Sequence, residues 1–181
     1  MNKMLHSYRV TKYDPKCRDD RGRYTKDDWT SMTDICKVFN GVQLTKKEYL
    51  KIENLYIEAI TSFMQYLKIP CLELKMLSKW QDKIDIKNYP EINPGELLRF
   101  YSHVREGMII PLSEVVNIAK LALRDELGCK LISQSGLQVH FGYDFYMYII
   151  SSYKCEDVVD NIKASGLFVE SLESPYMDDD I

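Results

Sequence analysis

The chain has 181 residues, 45% of them hydrophobic and 28% charged, enough to bury one sizeable core in a single domain of ordinary globular composition. Its net charge of -3 is uneven: Glu170, Glu173, Asp178, Asp179 and Asp180 fall in the last twelve residues, and the remainder carries 22 acidic against 24 basic residues. No basic run tracks a phosphate backbone, which argues against direct nucleic-acid binding, and no stretch reaches the ~18 apolar residues of a membrane span.

Alternation from Ser7 to Tyr13 predicts a strand, and the polar residues 14 to 30, with Asp19-Asp20-Arg21-Gly22 as a turn signal, predict a loop pinned by Trp29. A short helix is expected between the cap-like Ser31 to Asp34 and the Asn40-Gly41 stop. Thr45-Lys46-Lys47-Glu48 is a capping box, behind which Tyr49, Ile52, Leu55, Tyr56, Ala59, Ile60, Phe63 and Leu67 form one helical face and Lys51, Glu53, Asn54, Glu58 and Gln65 the other. Helix 46–67 therefore ends before Pro70, and Leu72, Leu74 and Met76 alternate into a strand that closes near Trp80.

Residues 81–95 have loop composition, 96–105 suit a short helix, and 108–110 a brief extended piece. Pro111 and Ser113 introduce a helix whose Leu112, Val116, Ala119, Leu123 and Leu127 share a side, with Gly128 as its stop. Cys129 to Ser133 and Leu137 to Tyr148 flank Gln134-Ser135-Gly136 as a hairpin, Lys154 to Ser165 is an amphipathic helix stopped by Gly166, and Leu167 to Leu172 is a last strand. A hairpin in place of unbroken βαβ alternation points to an α+β domain: a mixed or mostly antiparallel sheet with several helices packed on it, ending in a loose acidic tail at about 174–181.

Val139 to Ile150 carries the strongest pattern in the chain. Read as one strand, it points Val139, Phe141, Tyr143, Phe145, Met147 and Ile149 to the core and His140, Gly142, Asp144, Tyr146 and Tyr148 to the opposite face. On that geometry His140 and Asp144 stand roughly 13 Å apart, too far to bond each other, so catalysis would need partners from other elements. Tyrosine joins apolar area to a polar tip, which suits His140, Asp144, Tyr146 and Tyr148 to partner binding, and Glu173, Asp178, Asp179 and Asp180 to attraction of a basic partner.

The other histidines, His6 and His103, make no ligand pair with His140, and neither a metal nor a cofactor is expected. Cys17, Cys36, Cys71, Cys129 and Cys155 are odd in number, widely spaced and never C-x-x-C, which disfavours a disulfide framework or zinc site. Cys36, Cys71 and Cys129 lie in apolar stretches and read as small buried hydrophobes. With no signal-peptide run near the start, a reduced, cytoplasmic protein is expected.

Three stretches carry a likeness that covers most of the chain. They are Tyr8-Arg9-Val10-Thr11-Lys12-Tyr13-Asp14-Pro15 with the Arg-Asp-Asp-Arg-Gly-Arg-Tyr and Asp-Trp-Thr-Ser-Met-Thr-Asp-Ile that follow, Leu44 to Leu50, and Val139 to Tyr148. In texture, not in any catalytic signature, the chain resembles immunity proteins paired with toxins of contact-dependent growth inhibition and related polymorphic systems. The resemblance implies a non-enzymatic protein that binds one cognate toxin, commonly a nuclease with a basic active face, and occludes it. It carries over no individual residue. Two other readings stay open: a small enzyme acting on nucleic acid or a nucleotide with His140 and Asp144 in its site, and a structural subunit of a larger assembly.

Overall fold

The computed structural model describes residues 5–92 and 94–177. β1 (His6–Thr11) leads into a segment with two single-turn 3-10 helices, Pro15–Cys17 and Met32–Asp34, and a minimal hairpin of β2 (Val38–Phe39) and β3 (Val42–Gln43). Then follow α1 (Lys46–Tyr66), β4 (Cys71–Lys79), α2 (Gly95–His103) and β5 (Ile109–Pro111). A 3-10 turn at Leu112–Glu114 runs into α3 (Val115–Leu123). The chain closes with the meander β6 (Leu127–Ile132), β7 (Gln138–Phe141) and β8 (Tyr146–Ser151), then α4 (Glu156–Ser165) and β9 (Phe168–Ser171).

Seven strands form one antiparallel sheet in the order β5-β4-β6-β7-β8-β1-β9, the α+β architecture expected from the hairpin-containing element order. Register gives the sheet two faces. Leu74, Leu131, Val139, Ile149 and Tyr8 are successive cross-strand partners, all buried on the face that the helices cover. One residue along each strand, the partners are Lys75, Lys130, His140, Tyr148, Arg9 and Glu170, a polar row across the other face.

α1 starts where Thr45 Oγ accepts from the Glu48 amide (3.1 Å), and it packs against both α3 and α4. Its buried stripe is Tyr49, Glu53, Tyr56, Ile60 and Phe63, so Glu53 belongs to the inner face and not the solvent face that its charge suggests. The reason is Arg124, just beyond α3: its Nε and Nη2 each lie 2.6 Å from a Glu53 carboxylate oxygen, and its Nη1 and Nη2 reach Glu91 at 2.9 and 2.6 Å. Among the described residues no helix is long and apolar enough to cross a membrane.

The segment from 31 to 41 is not a helix. Ser31 and Asp34 do form a reciprocal capping box, but around one 3-10 turn only; Asn40 and Gly41 then both take positive φ (48° and 80°) and turn β2 into β3. Asn-Gly is the preferred central pair of a tight hairpin, and that preference outweighs its reading as a helix stop. Cys36 in consequence is exposed at φ 77°, not buried, and Cys71 is half-buried; Cys129 and Cys155 are buried, and all five thiols are free. α3 also ends a turn earlier than Gly128 suggests: Asp125 takes φ 57° after Leu123, which frees Leu127 and Gly128 to begin β6.

Candidate functional site

The stretch from Val139 to Ile150 is two strands joined by a turn, not one strand. Gly142 donates to Tyr146 O (2.7 Å), Tyr146 donates to Tyr143 O (3.1 Å), and Asp144 and Phe145 between them have φ of 56° and 61°. Two positive-φ central residues make a tight hairpin turn, a conformation that costs a phenylalanine of order 1–3 kcal/mol. Aromatic burial offsets it: the Phe145 ring meets Trp29, Tyr49 and Tyr56 edge-on, with centroids 4.9, 5.9 and 5.4 Å away. Tyr56 Oη also donates to Phe145 O (2.6 Å) while accepting from the Lys12 amide (2.7 Å).

The turn redistributes the faces. Val139, Met147 and Ile149 reach the core as expected, and Phe145 does so through the turn, whereas Tyr143, expected inside, is 70% exposed. Asp144 is exposed at the tip, away from His140, so the structure does not bring those two together. His140 is only 1% exposed: its Nδ1 lies 2.8 Å from Ser174 Oγ and its Nε2 3.1 Å from Gln138 Oε1. Tyr148, 7% exposed, lies under the Tyr176 ring at 5.9 Å, and Lys130 Nζ donates to Tyr176 O (2.5 Å).

The cover over the polar row is therefore the chain's own C-terminal segment. Ser174 N donates to Ser7 Oγ (3.1 Å), and its hydroxyl accepts from Tyr176 N (3.3 Å), so residues 174–177 are laid across β7, β8 and β1. Tyr146 is covered differently, by the Tyr13 ring at 5.2 Å and the guanidinium groups of Arg9 and Arg18 at 5.5 and 5.4 Å. Both arginines bond Glu170, Arg9 in a two-pronged pair at 2.9 and 3.0 Å and Arg18 at 3.2 Å; the first acid of the terminus is thus part of the sheet. Glu173 is exposed; Asp178, Asp179 and Asp180 lie outside the described residues.

Side chains that sequence reasoning passed over gather beside this cover. Trp80, 58% exposed, follows β4 beyond a bulge at Met76 and Leu77, whose amides donate to the Glu106 carboxylate (3.0 and 2.7 Å). Its ring lies over Gly128: a Cβ there would come within 3.3 Å of it. Gly142 sits in the same way beneath the Tyr176 hydroxyl and the Tyr146 backbone, at 3.1 and 3.0 Å from the corresponding Cβ position. A cleft of about 110 Å³ opens between them, lined by Trp80, Asp125, Gly128, Phe141, Tyr143 and Tyr176. Burial, with the charges of Asp144 and Glu126, pushes the Asp125 carboxyl pKa up. The one signal in the sequence was the pair of glycines, Gly128 at the start of β6 and Gly142 just after β7, each of which leaves room for an aromatic side chain.

Two further charged clusters are structural in their geometry. Burial holds Lys12 down to about 8, against the opposing pull of Asp28 at 2.9 Å, and its ammonium lies 4.1 Å from the ring centroids of both Tyr13 and Trp29. Burial opposes the Glu91 charge too, yet its bonds to Arg124 and Lys120 prevail and lower that carboxyl to about 2. Among the described residues no three His, Cys, Asp or Glu side chains gather as a metal ion needs.

Comparison with protein-family models gives no match, and comparisons with curated proteins and with solved structures give none either.

Proposed function

We propose that this chain is a cytoplasmic immunity protein that binds one cognate toxin domain, a basic nuclease, and occludes its active or substrate-binding face. The observation that supports this reading is the hairpin turn at Tyr143-Asp144, which holds an aromatic ring and a carboxylate out from a rigid sheet, beside the exposed Trp80. Aromatic anchors among carboxylates suit a partner whose own face is basic because its substrate is a phosphate chain. Glu173 and Asp178 to Asp180 add negative charge that would raise the encounter rate. His140, Tyr146 and Tyr148 then serve the partner surface from behind, by fixing the C-terminal segment and the loop that frame it.

The test is coexpression with the toxin encoded beside it. A stoichiometric complex and rescued growth are expected; growth arrest by the toxin in spite of this protein, with no complex recovered, would sink the reading.

One observation favours the enzymatic alternative. Ser174 Oγ and His140 Nδ1 are 2.8 Å apart, the spacing of a hydroxyl nucleophile and its base, and Gln138 stands at the other ring nitrogen. Both residues are buried, so this reading requires the C-terminal segment to lift. Nuclease or nucleotide-hydrolase turnover that disappears in both His140→Ala and Ser174→Ala would favour it; equal activity in His140→Ala removes it.

A further inference from the structure

The cleft beside Trp80 has more definition than an exposed aromatic patch needs. Gly128 in β6 and Gly142, the residue after β7, lie on its lining together with Trp80, Phe141, Tyr143 and Tyr176. The charged side chain on its lining is Asp125, which among the described residues no hydrogen bond or ion pair engages. Asp144 and Glu126 stand close enough to raise that carboxyl's pKa, so the local field is negative. Glu126 itself is engaged, accepting from Tyr89 Oη (2.6 Å) and Gln81 Nε2 (3.1 Å).

The bases nearby are directed elsewhere. Lys79 Nζ donates to Tyr101 O (2.7 Å), and Lys130 lines an adjoining cavity that shares Trp80, Gly128, Phe141 and Tyr176, with its ammonium on Tyr176 O. A flat cation fits the cleft beside Asp125, since aromatic faces attract it and a carboxylate on the lining completes its hydrogen bonding. Of the protein cations, guanidinium is flat, weakly hydrated and forked toward carboxylate, where ammonium is compact and strongly hydrated.

We infer that this cleft receives an arginine side chain of a protein partner, stacked between Trp80 and Tyr143 and paired with Asp125. The inference rests on the toxin-binding reading for the identity of that partner and names the surface that would bind it. The bulge capped by Glu106 is then a positioning device, because it sets the direction in which β4 delivers Trp80.

Two measurements separate this site from the broader reading. In the first, the full chain, labelled with nitrogen-15, is titrated with N-acetylarginine amide at millimolar concentration. Saturable shifts are expected at the Gly128, Gly142 and Tyr143 amides, with roughly tenfold weaker binding in Asp125→Asn, and weaker binding again for N-acetyllysine amide. Asparagine tolerates the positive φ at position 125, so that variant keeps the turn. Shifts that do not saturate, or that are the same in Asp125→Asn, overturn the proposal.

In the second, the toxin encoded beside this chain is titrated against Trp80→Ala and Tyr143→Ala. Losses of about tenfold or more support the site, as expected for aromatic anchors; wild-type affinity in both variants overturns it while the immunity reading stands. Arginine-amide binding at Gly128 and Gly142 by a chain that binds no toxin supports the site and removes the immunity reading.

Discussion

Arg124 exposes none of its side chain, and its guanidinium is divided between two carboxylates, one equally buried and one at the rim. An arginine taken out of water costs several kcal/mol, which the two-pronged Glu53 pair and the Glu91 bonds must offset. Glu53→Gln should therefore lose about 3 kcal/mol, the low end for a broken buried pair because Glu91 remains, seen as a lower urea midpoint at unchanged slope. Glu91 gives the matching pH dependence. Its folded pKa of about 2 lies below the ordinary 4.5, so the unfolded chain takes the proton first. The stability it contributes is complete above about pH 5 and disappears as pH falls toward 2. After allowance for its partial exposure this is of order 2 kcal/mol, and Glu91→Gln should flatten the acid limb of the stability profile by that amount. A profile parallel to wild type would refute the pairing.

At the level of elements, the β7–β8 turn decides how the most patterned segment is used. Phe145 accepts a left-handed backbone because its ring fills the space between Trp29, Tyr49 and Tyr56, and one hydroxyl ties the turn, α1 and the end of β1 together. Tyr56→Phe keeps the ring and strands two backbone groups, for an expected loss of about 1–3 kcal/mol. Phe145→Ala keeps the strain and loses the ring, for about 3–5 kcal/mol. If denaturant melts show Phe145→Ala to be the milder of the two, the ring cluster is not what holds the turn. Gly128 and Gly142 act at the same scale: a Cβ at the first would press on the Trp80 ring and at the second on the Tyr176 hydroxyl and the Tyr146 backbone.

For the whole molecule, the organising fact is that one face of a seven-stranded antiparallel sheet is covered by helices and the other, across β7, β8 and β1, by the chain's own loop and C-terminal segment. Removal of residues 174–181 should uncover His140 and Tyr148, speed amide exchange across β7 and β8, and leave α1 protection intact; unchanged exchange in those strands would mean that the segment contributes nothing to them. The α+β class, helix α1, the terminal helix and the core side of β7 and β8 were legible in the sequence. Their signals are local: hydrophobic period, capping residues and glycine stops report what a segment does to its own neighbours. Glu53 could not be placed inside without Arg124, seventy-one positions away in the chain, nor His140 and Tyr148 under a cover without Ser174 and Tyr176. The alternation from Val139 to Ile150 concealed a turn, since a two-residue turn between antiparallel strands preserves the apolar rhythm while its own side chains leave the sheet. The sequence by itself determined the α+β class, α1, α4 and the apolar side of the strands, because burial of apolar surface is written in each segment's periodicity. Only the tertiary structure decided which polar side chains are used internally and which face outward at Trp80, Tyr143 and Asp125, because that depends on partners supplied by distant elements.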